Sequence, residues 1–357
     1  MGHVVNDKPS GFVVEHSTLV GQIHTLLDIQ AAADRFSGAV LVARGDQVLV
    51  ETARGYAIHP NLLPNRPDTR FNIASVTKML TAVAVIQLVA GGKLDLHTPI
   101  AIYNPDLPYA HQVTLHHLLT HTAGFARYWN DAYRAARSDL RTVGDYLKLF
   151  AGAPLEFPPG TRHLYGNVGY VILGAVIEAA TGVSYYDQMR KSIFLPAGMH
   201  DTNFDELDLP AVNRAIGYTK DNWFGPVDGQ RRSNDFIYAV KGSPAEHCYS
   251  TVRDLWCFFQ ALQSQRLLDA YHTELCFTPH TPAEQPGISY GYGFHLIDDG
   301  VHGQVIGHGG RALGGDAFAL MYRDLGYTLI VLSNYDRPAA RQVVNGIADL
   351  LIELSPS

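Results

Sequence analysis

The chain has 357 residues, of which 46% are hydrophobic and 17% are charged. This length and composition suit one large domain or two smaller ones, and they exclude a disordered chain or a small disulfide-stapled module. The net charge of −7, without a basic tract, argues against a nucleic-acid partner, because binding to phosphate backbones depends on clustered Lys and Arg.

The sequence shows no signal for export or for membrane insertion. Residues 1–16 lack the basic stretch followed by an apolar stretch that a secretory signal peptide requires. No apolar run approaches the roughly 20 residues that span a bilayer. The cysteines, Cys248, Cys257 and Cys276, form no C-x-x-C pair, which argues against a disulfide framework and against a cysteine-ligated zinc site. We therefore expect a cytoplasmic protein without a membrane partner, unless a leader precedes this sequence.

The first part of the chain is predicted to contain a helix, a hairpin and a second helix. The first helix is expected to start with Ser17 as its cap, because apolar residues then recur at close to 3.6 spacing. Residues 38–57 follow as two strands joined by a turn at Gly45. The second helix follows Ser75 and ends near Gly91, where glycine can adopt a left-handed conformation.

The remainder of the chain changes from short helices to strands and then to a last helix. In the middle third, short apolar helical segments alternate with Pro/Gly turns. Strand-forming runs return late, a helix capped at Thr251 precedes them, and the last helix begins near Pro338. This order predicts an α+β fold with an antiparallel sheet that is flanked by helices and formed from both chain ends. The predicted domains are a discontinuous one of residues 1–105 and 246–357 and an inserted helical one of residues 106–245.

Ser75 and Lys78 are the first candidates for chemistry. Lys78 follows Ser75 by three residues in the apolar run FNIASVTKML, so both side chains lie on one face of a helix. The N-terminus of that helix favours negative charge on the Ser75 oxygen. Burial lowers the pKa of a lysine, which makes Lys78 a proton acceptor or an electrostatic activator of Ser75. The alternative is a lysine that extends to solvent from a helix that happens to carry a hydroxyl.

Two later segments add polar groups. Tyr165 and Asn167, in HLYGNVGY, lie between a Pro/Gly turn and a helix, where both side chains can project to one side. A tyrosinate beside a lysine ammonium can act as a general base, and an asparagine can orient the lysine and the substrate. His308, Gly309 and Gly310 precede a strand-like run, where glycine lets a substrate approach a strand edge. Singly, each segment is equally consistent with an ordinary turn.

Together these residues resemble the active-site motifs of a known family. Ser75-x-x-Lys78, Tyr165-x-Asn167 and His308-x-Gly310, in that order, are similar to the three motifs of the penicillin-recognising serine hydrolases. The tyrosine favours the branch that contains class C β-lactamases, family VIII carboxylesterases and D-stereospecific aminopeptidases. Segments such as HHLLTHTAGF, FPPGTRHLYGNVGYVILG and YGYGF agree with that branch, and the resemblance extends over nearly the whole chain.

The resemblance implies a β-lactamase/transpeptidase-like fold, with the active site in a cleft between the two domains. Ser75 would form a covalent acyl-enzyme, Tyr165 and Lys78 would manage its proton, and Tyr165 would activate the water that releases the acyl group. The backbone N–H groups of Ser75 and Arg311 would hold the oxyanion. It implies a small-molecule ester, amide or lactam substrate, no cofactor and no metal, and it leaves the oligomeric state open.

One departure from the family pattern bears on the substrate. Most β-lactamases have Lys-Thr/Ser-Gly as the third motif, and here His308 takes the place of that lysine, followed by Gly309 and Gly310. A histidine carries less positive charge at neutral pH, so an anionic β-lactam loses a favourable contact. The resemblance therefore favours a carboxylesterase. The alternatives are a β-lactamase or a D-amino-acid-specific peptidase with the same residues, and a catalytically inactive binding protein.

Other patterns receive a structural interpretation. Ser289 in GISYG matches a nucleophile elbow but lacks the flanking strand and helix that this motif needs. His117 and His121 are four residues apart, but H-E-x-x-H would require a glutamate after His117, and an acidic third ligand is also missing. Several aromatic residues either line an acyl pocket or pack in the core: Tyr128, Trp129, Tyr185, Tyr186, Trp223 and Phe224.

Overall fold

The computed structural model describes residues 10–59, 62–128, 130–220, 229–235, 237–298, 300–301 and 303–353. The predictions made for Trp129, Trp223 and Phe224, and for the first nine residues, fall outside the described residues.

Helices are spread along the whole chain. They are α1 (Ser10–Ala32), α2 (Thr77–Ala90), α3 (Leu115–Leu119), α4 (Asp131–Ala136), α5 (Val143–Lys148), α6 (Val168–Thr181), α7 (Tyr185–Met189), α8 (Leu195–Ala197), α9 (Val252–Gln263), α10 (Ala270–Cys276) and α11 (Ala339–Glu353). Single 3₁₀ turns occur at Ala74–Val76 and Ile100–Ile102, and a π-helical turn, Arg190–Phe194, joins α7 to α8.

The strands concentrate near the two ends of the chain. They are β1 (Gly38–Arg44), β2 (Gln47–Arg54), β3 (Tyr56–Ile58), β4 (Leu63–Pro64), β5 (Phe71–Asn72), β6 (Tyr218–Thr219), β7 (Arg232–Ser233), β8 (Tyr249–Ser250), β9 (Thr281–Pro282), β10 (Ile288–Tyr290), β11 (His295–Asp298), β12 (Gln304–Ala312), β13 (Gly315–Tyr322) and β14 (Tyr327–Ser333).

One antiparallel sheet dominates the structure. Among the described residues it has eight strands in the order β2-β1-β14-β13-β12-β11-β10-β9. The hairpin of β1 and β2, with Gly45 at a φ of 57° in its turn, pairs with β14 from the far end of the chain. Both chain ends therefore build the sheet, and the predicted fold class is confirmed.

Two apolar layers bury the two faces of the sheet. On one face, Ile23 of α1 and Ile347 of α11 are fully buried with Val40 and Val42 of β1. On the other face, Leu41 belongs to the larger core that includes α2, α6 and α9. Because successive side chains of a strand point to opposite faces, β1 needs an apolar residue at nearly every position.

The middle of the chain packs as helices beside the sheet. Of the described residues between 106 and 245, none belongs to the eight-stranded sheet. The central helix of this part, α6, is apolar and buried along most of its length and contacts α2, α3, α5 and α7. This packing brings the residues ahead of α6 close to the start of α2. The boundaries of a separate inserted domain stay a prediction.

Two local predictions are wrong in position. The first helix begins at Ser10, so Ser17 lies inside α1 and is not its cap. A serine caps a helix only where the backbone leaves the helical conformation, and residues 10–16 contain no proline to force that change. The third motif, from His308 to Gly310, lies within β12 rather than ahead of a strand, because the ladder with β13 begins at Val305.

A helix that spans a membrane must be both long and apolar. None of the described helices is both long and apolar enough by itself. The helical segments Val168–Thr181 and Tyr185–Ala197 reach the length and apolar composition of a membrane span only when they are counted together, across a bend of 81°.

Candidate active site

Ser75 lies in the 3₁₀ turn that leads into α2. The preceding residue, Ala74, has a left-handed φ of 45°, a conformation that costs an L-residue about 1–2 kcal/mol. Two hydrogen bonds hold this turn: the Ala74 N–H donates to Asn72 Oδ1 at 2.8 Å, and the Thr77 hydroxyl donates to the Ala74 carbonyl at 2.6 Å. The turn places Ser75 at the wall of a cavity.

Lys78 is completely buried one helical turn after Ser75. Its Nζ lies 3.0 Å from Ser75 Oγ, 2.8 Å from Asn167 Oδ1 and 2.9 Å from the carbonyl oxygen of Ala245. Burial lowers the pKa of Lys78 to about 7, although the charge of Glu246 acts in the opposite direction. The lysine therefore titrates near neutral pH.

The three partners of Lys78 differ in what they can donate. The Asn167 amide oxygen and the Ala245 carbonyl only accept hydrogen bonds, so they take two N–H groups from the amine. The Ser75 hydroxyl can either accept or donate. When Lys78 is neutral, its lone pair therefore faces Ser75, and the hydroxyl proton of Ser75 can be donated to it.

Tyr165 lies in the loop before α6 and lines the same cavity as Ser75. The Lys78 Nζ lies 4.9 Å from the centroid of its ring. Burial raises the pKa of Tyr165 above its usual value, and the nearby Ser75 hydroxyl opposes this increase. The phenol oxygen is shielded from solvent and lies near the Ser75 hydroxyl. Tyr165 is therefore a neutral phenol beside the Ser75 hydroxyl.

His121 holds the loop that carries Tyr165. Its carbonyl accepts the Leu164 N–H at 2.9 Å, and its Nδ1 accepts the Gly166 N–H at 3.4 Å. Burial lowers the pKa of His121 well below its usual value, so the ring is neutral and its Nδ1 can accept. Its ring centroid lies 4.4 Å from that of Tyr165. Sequence reasoning considered His121 only as a metal ligand or a helix residue and missed this contact.

His308 faces the cavity from β12 as a neutral ring. Its Nε2 lies 3.1 Å from the Tyr290 hydroxyl, and its Nδ1 lies 2.6 Å from the Gly309 carbonyl oxygen. Burial, together with the nearby His295 and Lys78, lowers the pKa of His308 well below its usual value. Nδ1 therefore donates to Gly309, and Nε2 accepts from Tyr290. His308 offers no positive charge to a substrate carboxylate.

Gly310 lets β12 approach the nucleophile. A β-carbon at this position would lie 2.3 Å from the Ile73 carbonyl oxygen and 3.1 Å from the Ser75 nitrogen, so a larger residue requires the backbone to move. Arg311 follows in the strand and lines the cavity. This approach suits the predicted oxyanion site, although the role of the Arg311 N–H group stays a prediction.

One cavity of about 800 Å³ connects these groups. Its lining includes the following residues of the predicted set: Ser75, Tyr165, Asn167, His308, Gly309 and Arg311. Tyr128 also lines it, whereas Tyr185 and Tyr186 belong to the helical core or pack against it. Glu246 lines the cavity as well, and sequence reasoning missed it. The sequence signal was no more than a glutamate beside a histidine.

The structure also locates the other patterns found in the sequence. Ser289 lies in β10, opposite Leu296 and Pro282, so it is not at a strand-to-helix turn. His117 accepts the Thr114 N–H with its Nδ1 at 3.3 Å and so caps α3. Within the described residues, no group of three His, Cys, Asp or Glu side chains is arranged to hold a metal ion.

Comparison with known proteins agrees with this geometry. Residues 25–353 match the family model described as Beta-lactamase. Penicillin-binding protein 4* of Bacillus subtilis (strain 168) is 31% identical over 327 residues, which cover 87% of this chain and 71% of that protein. Esterase EstB of Burkholderia gladioli is 36% identical over 214 residues, which cover 55% of this chain and 54% of the esterase.

A solved structure extends the likeness to amidases. The D-amino acid amidase from Ochrobactrum anthropi SV3, complexed with L-phenylalanine amide, is 27% identical with a TM-score of 0.83, and the match covers 94% of this chain and 98% of the amidase. The family model spans most of the chain, which confirms the resemblance inferred from the motifs. The chain therefore belongs to the beta-lactamase family and is a serine hydrolase with penicillin-binding proteins, an esterase and a D-amino acid amidase among its relatives.

Proposed function

We propose that this protein is a carboxylesterase that cleaves small acyl esters through a covalent acyl-enzyme on Ser75. The observation that carries the proposal is the 3.0 Å contact between Lys78 Nζ and Ser75 Oγ. A lysine with a pKa of about 7 can take the serine proton at neutral pH, which is how a weak hydroxyl nucleophile becomes reactive.

In the proposed acylation, Ser75 Oγ attacks the ester carbonyl while its proton moves to Lys78. Tyr165, which is a neutral phenol, donates its proton to the departing alkoxide. The C–O bond of the ester breaks, the alcohol leaves, and the acyl group remains on Ser75. At this stage Lys78 is an ammonium and Tyr165 is a phenolate, and the proximity of the two side chains stabilises both charges.

In the proposed deacylation, the same groups act in reverse. A water molecule gives a proton to the Tyr165 phenolate and attacks the acyl carbonyl. Ser75 Oγ then leaves and takes its proton back from Lys78, so the enzyme returns to its starting state with a carboxylic acid as product. This assigns the first proton transfer to Lys78 and the activation of water to Tyr165.

The preference for an ester over a β-lactam rests on the third motif. The neutral His308 gives an anionic lactam no charged partner, and EstB, an esterase by name, is among the relatives. Amide hydrolysis is the second candidate, because the D-amino acid amidase matches nearly the whole chain.

A serine-directed phosphonate followed by mass spectrometry tests the nucleophile. We expect one adduct on Ser75, and we expect loss of ester hydrolysis in Ser75→Ala. The matched control is Ser289→Ala, in the G-x-S-x-G segment, which should keep full activity. Full activity of Ser75→Ala, or an adduct on Ser289, contradicts the proposal.

A substrate panel tests the reaction class. We expect p-nitrophenyl acetate to be hydrolysed faster than nitrocefin or D-alanine p-nitroanilide, with all activity dependent on Ser75. Faster cleavage of the lactam or the anilide reverses the ranking of substrates but keeps Ser75 as the nucleophile.

A further inference from the structure

Glu246 is a buried carboxylate that faces the substrate cavity. The residue is 4% exposed and still forms part of the cavity lining. Its Oε1 accepts a hydrogen bond from the Tyr128 hydroxyl at 2.8 Å. Its Oε2 lies 3.6 Å from His247 Nε2, which is beyond hydrogen-bond distance. One oxygen of this carboxylate is therefore able to accept a hydrogen bond from a molecule in the cavity.

Glu246 has no Lys or Arg ion-pair partner among the described residues, although its charge also acts on the more distant Lys78. Burial lowers the pKa of His247, so its ring is neutral at pH 7 and the contact with Glu246 is not an ion pair. Four arginines also line the cavity: Arg127, Arg311, Arg337 and Arg341. Water screens the charges of the three that are exposed, and the half-buried Arg337 is paired with Asp316.

Glu246 also lies close to the reaction centre. The carbonyl of the residue before it, Ala245, is 2.9 Å from Lys78 Nζ, which in turn is 3.0 Å from Ser75 Oγ. The charge of Glu246 acts on Lys78, and a negative charge in this part of the site also disfavours the oxyanion that forms when Ser75 attacks. A buried charge without an ion-pair partner is also costly to the fold. Both effects decrease when a bound substrate brings a positive charge next to Glu246.

We propose that Glu246 is a specificity-determining residue that selects substrates with an ammonium group close to the scissile carbonyl, as in amino-acid esters. This inference rests on the proposed function, because it takes Ser75 as the nucleophile. The ammonium donates a charge-assisted hydrogen bond to Glu246 Oε2 and offsets the negative charge beside the oxyanion.

A different role for Glu246 predicts a different result. If its charge acts only on Lys78, removing it lowers the pKa of Lys78 and shifts the pH profile equally for neutral and cationic substrates. If it binds the substrate, removing it changes the ratio of activities on the two kinds of substrate. A comparison of matched esters in two variants separates these roles.

Two pairs of benzyl esters make the comparison, with release of benzyl alcohol as the readout. In the pairs glycyl and propionyl, and β-alanyl and butyryl, an ammonium replaces a methyl group and the shape is otherwise kept. At pH 7 the amines are mostly protonated. We expect the wild-type kcat/KM to be about tenfold or more higher for the cationic member of at least one pair, the size expected for a hydrogen bond to a buried charge.

The variant Glu246→Gln keeps an acceptor for Tyr128 but removes the charge, and we expect the ratio to fall to about one or below. Glu274→Gln is the matched control, because it removes an exposed carboxylate that pairs with Arg323 outside the cavity. It should keep the wild-type ratio. If Glu246→Gln fails to fold, a wild-type ratio near one in both pairs still refutes the proposal.

The outcomes separate this inference from the proposed function. A wild-type ratio near one in both pairs, or the same ratio in wild type and Glu246→Gln, refutes the role of Glu246 while the ester hydrolysis itself stands. Failure of every ester, with no adduct on Ser75, refutes the proposed function and this inference with it.

Discussion

Replacing Lys78 by methionine removes a titratable amine from the core and keeps a side chain of similar length. In the unfolded chain the lysine has its ordinary pKa of 10.5, and in the native state burial lowers it to about 7. Between these values the unfolded state binds more protons than the native state, so wild-type stability rises with pH. Burying Lys78 therefore lowers the stability of the wild type by its full amount below pH 7 and by nothing above pH 10.5. The methionine variant has no pH-dependent loss of this kind.

The size of the effect follows from the difference between the two pKa values. The full penalty is about 5 kcal/mol, at about 1.4 kcal/mol for each pKa unit. The loss of stability caused by burying Lys78 falls from about 4 kcal/mol at pH 7 to about 2 kcal/mol at pH 9. We therefore expect the stability advantage of Lys78→Met over wild type to shrink by about 2 kcal/mol across this range.

Urea unfolding at pH 7, 8 and 9 measures this difference, because titrations that both proteins share cancel. Lys93→Met is the matched control, since Lys93 is exposed just after α2, and its difference from wild type should not change with pH. A constant difference between Lys78→Met and wild type from pH 7 to 9 would show that Lys78 stays charged. That result refutes the reasoning and removes Lys78 as the proton acceptor.

Further predictions address the pH profile, the strand beside the nucleophile, an exposed helix and the tyrosine loop. The kcat/KM for ester hydrolysis should rise with pH through about 7, as Lys78 loses its proton, and a flat profile between pH 6 and 8 contradicts this. Gly310→Ala should lower kcat/KM about a hundredfold, because its β-carbon overlaps the backbone ahead of the nucleophile, and activity within twofold of wild type would show that the strand can move. Gly21→Ala, in α1 with open space around it, should raise the free energy of unfolding by about 0.5–1 kcal/mol in urea titrations, and unchanged stability counts against the helix at this position. His121→Phe removes the acceptor of the Gly166 N–H, so kcat should fall about tenfold with KM little changed. His121→Asn should recover most of kcat through its amide oxygen, and equal losses in both variants argue that His121 contributes packing alone.

Relations between residues close in sequence were predictable. The three-residue spacing of Ser75 and Lys78 leads to contact because a helix places such pairs on one face. The turn at Gly45 follows from the tolerance of glycine for a positive φ. The cap of α9 follows from the hydroxyl of Thr251, which accepts the Asp254 N–H at 3.0 Å.

Contacts between distant residues could not be derived from the residues alone. Lys78 Nζ reaches the carbonyl of Ala245 across 167 positions of the chain, and no local pattern marks that carbonyl. Glu246 also lines the site without a local sequence pattern that marks it. The neutral state of His308 also depends on neighbours from other strands, Tyr290 and His295, whose proximity only the sheet establishes. Only the family resemblance predicted that the three motifs come together in one site. The pattern of each motif by itself does not require contact with the other two.

The pairing of β1 with β14 has a consequence for how the protein is made. Gly38 lies opposite Ser333, so the ladder closes a loop of roughly 300 residues, and such non-local pairing slows folding. During translation, the β1–β2 hairpin is synthesised long before β14, so the edge of β1 that pairs with β14 stays unpaired until β14 leaves the ribosome. During that interval the nascent chain exposes a template for unwanted strand pairing. We expect its yield in cells to depend on chaperones that cover that edge until translation reaches the last strand.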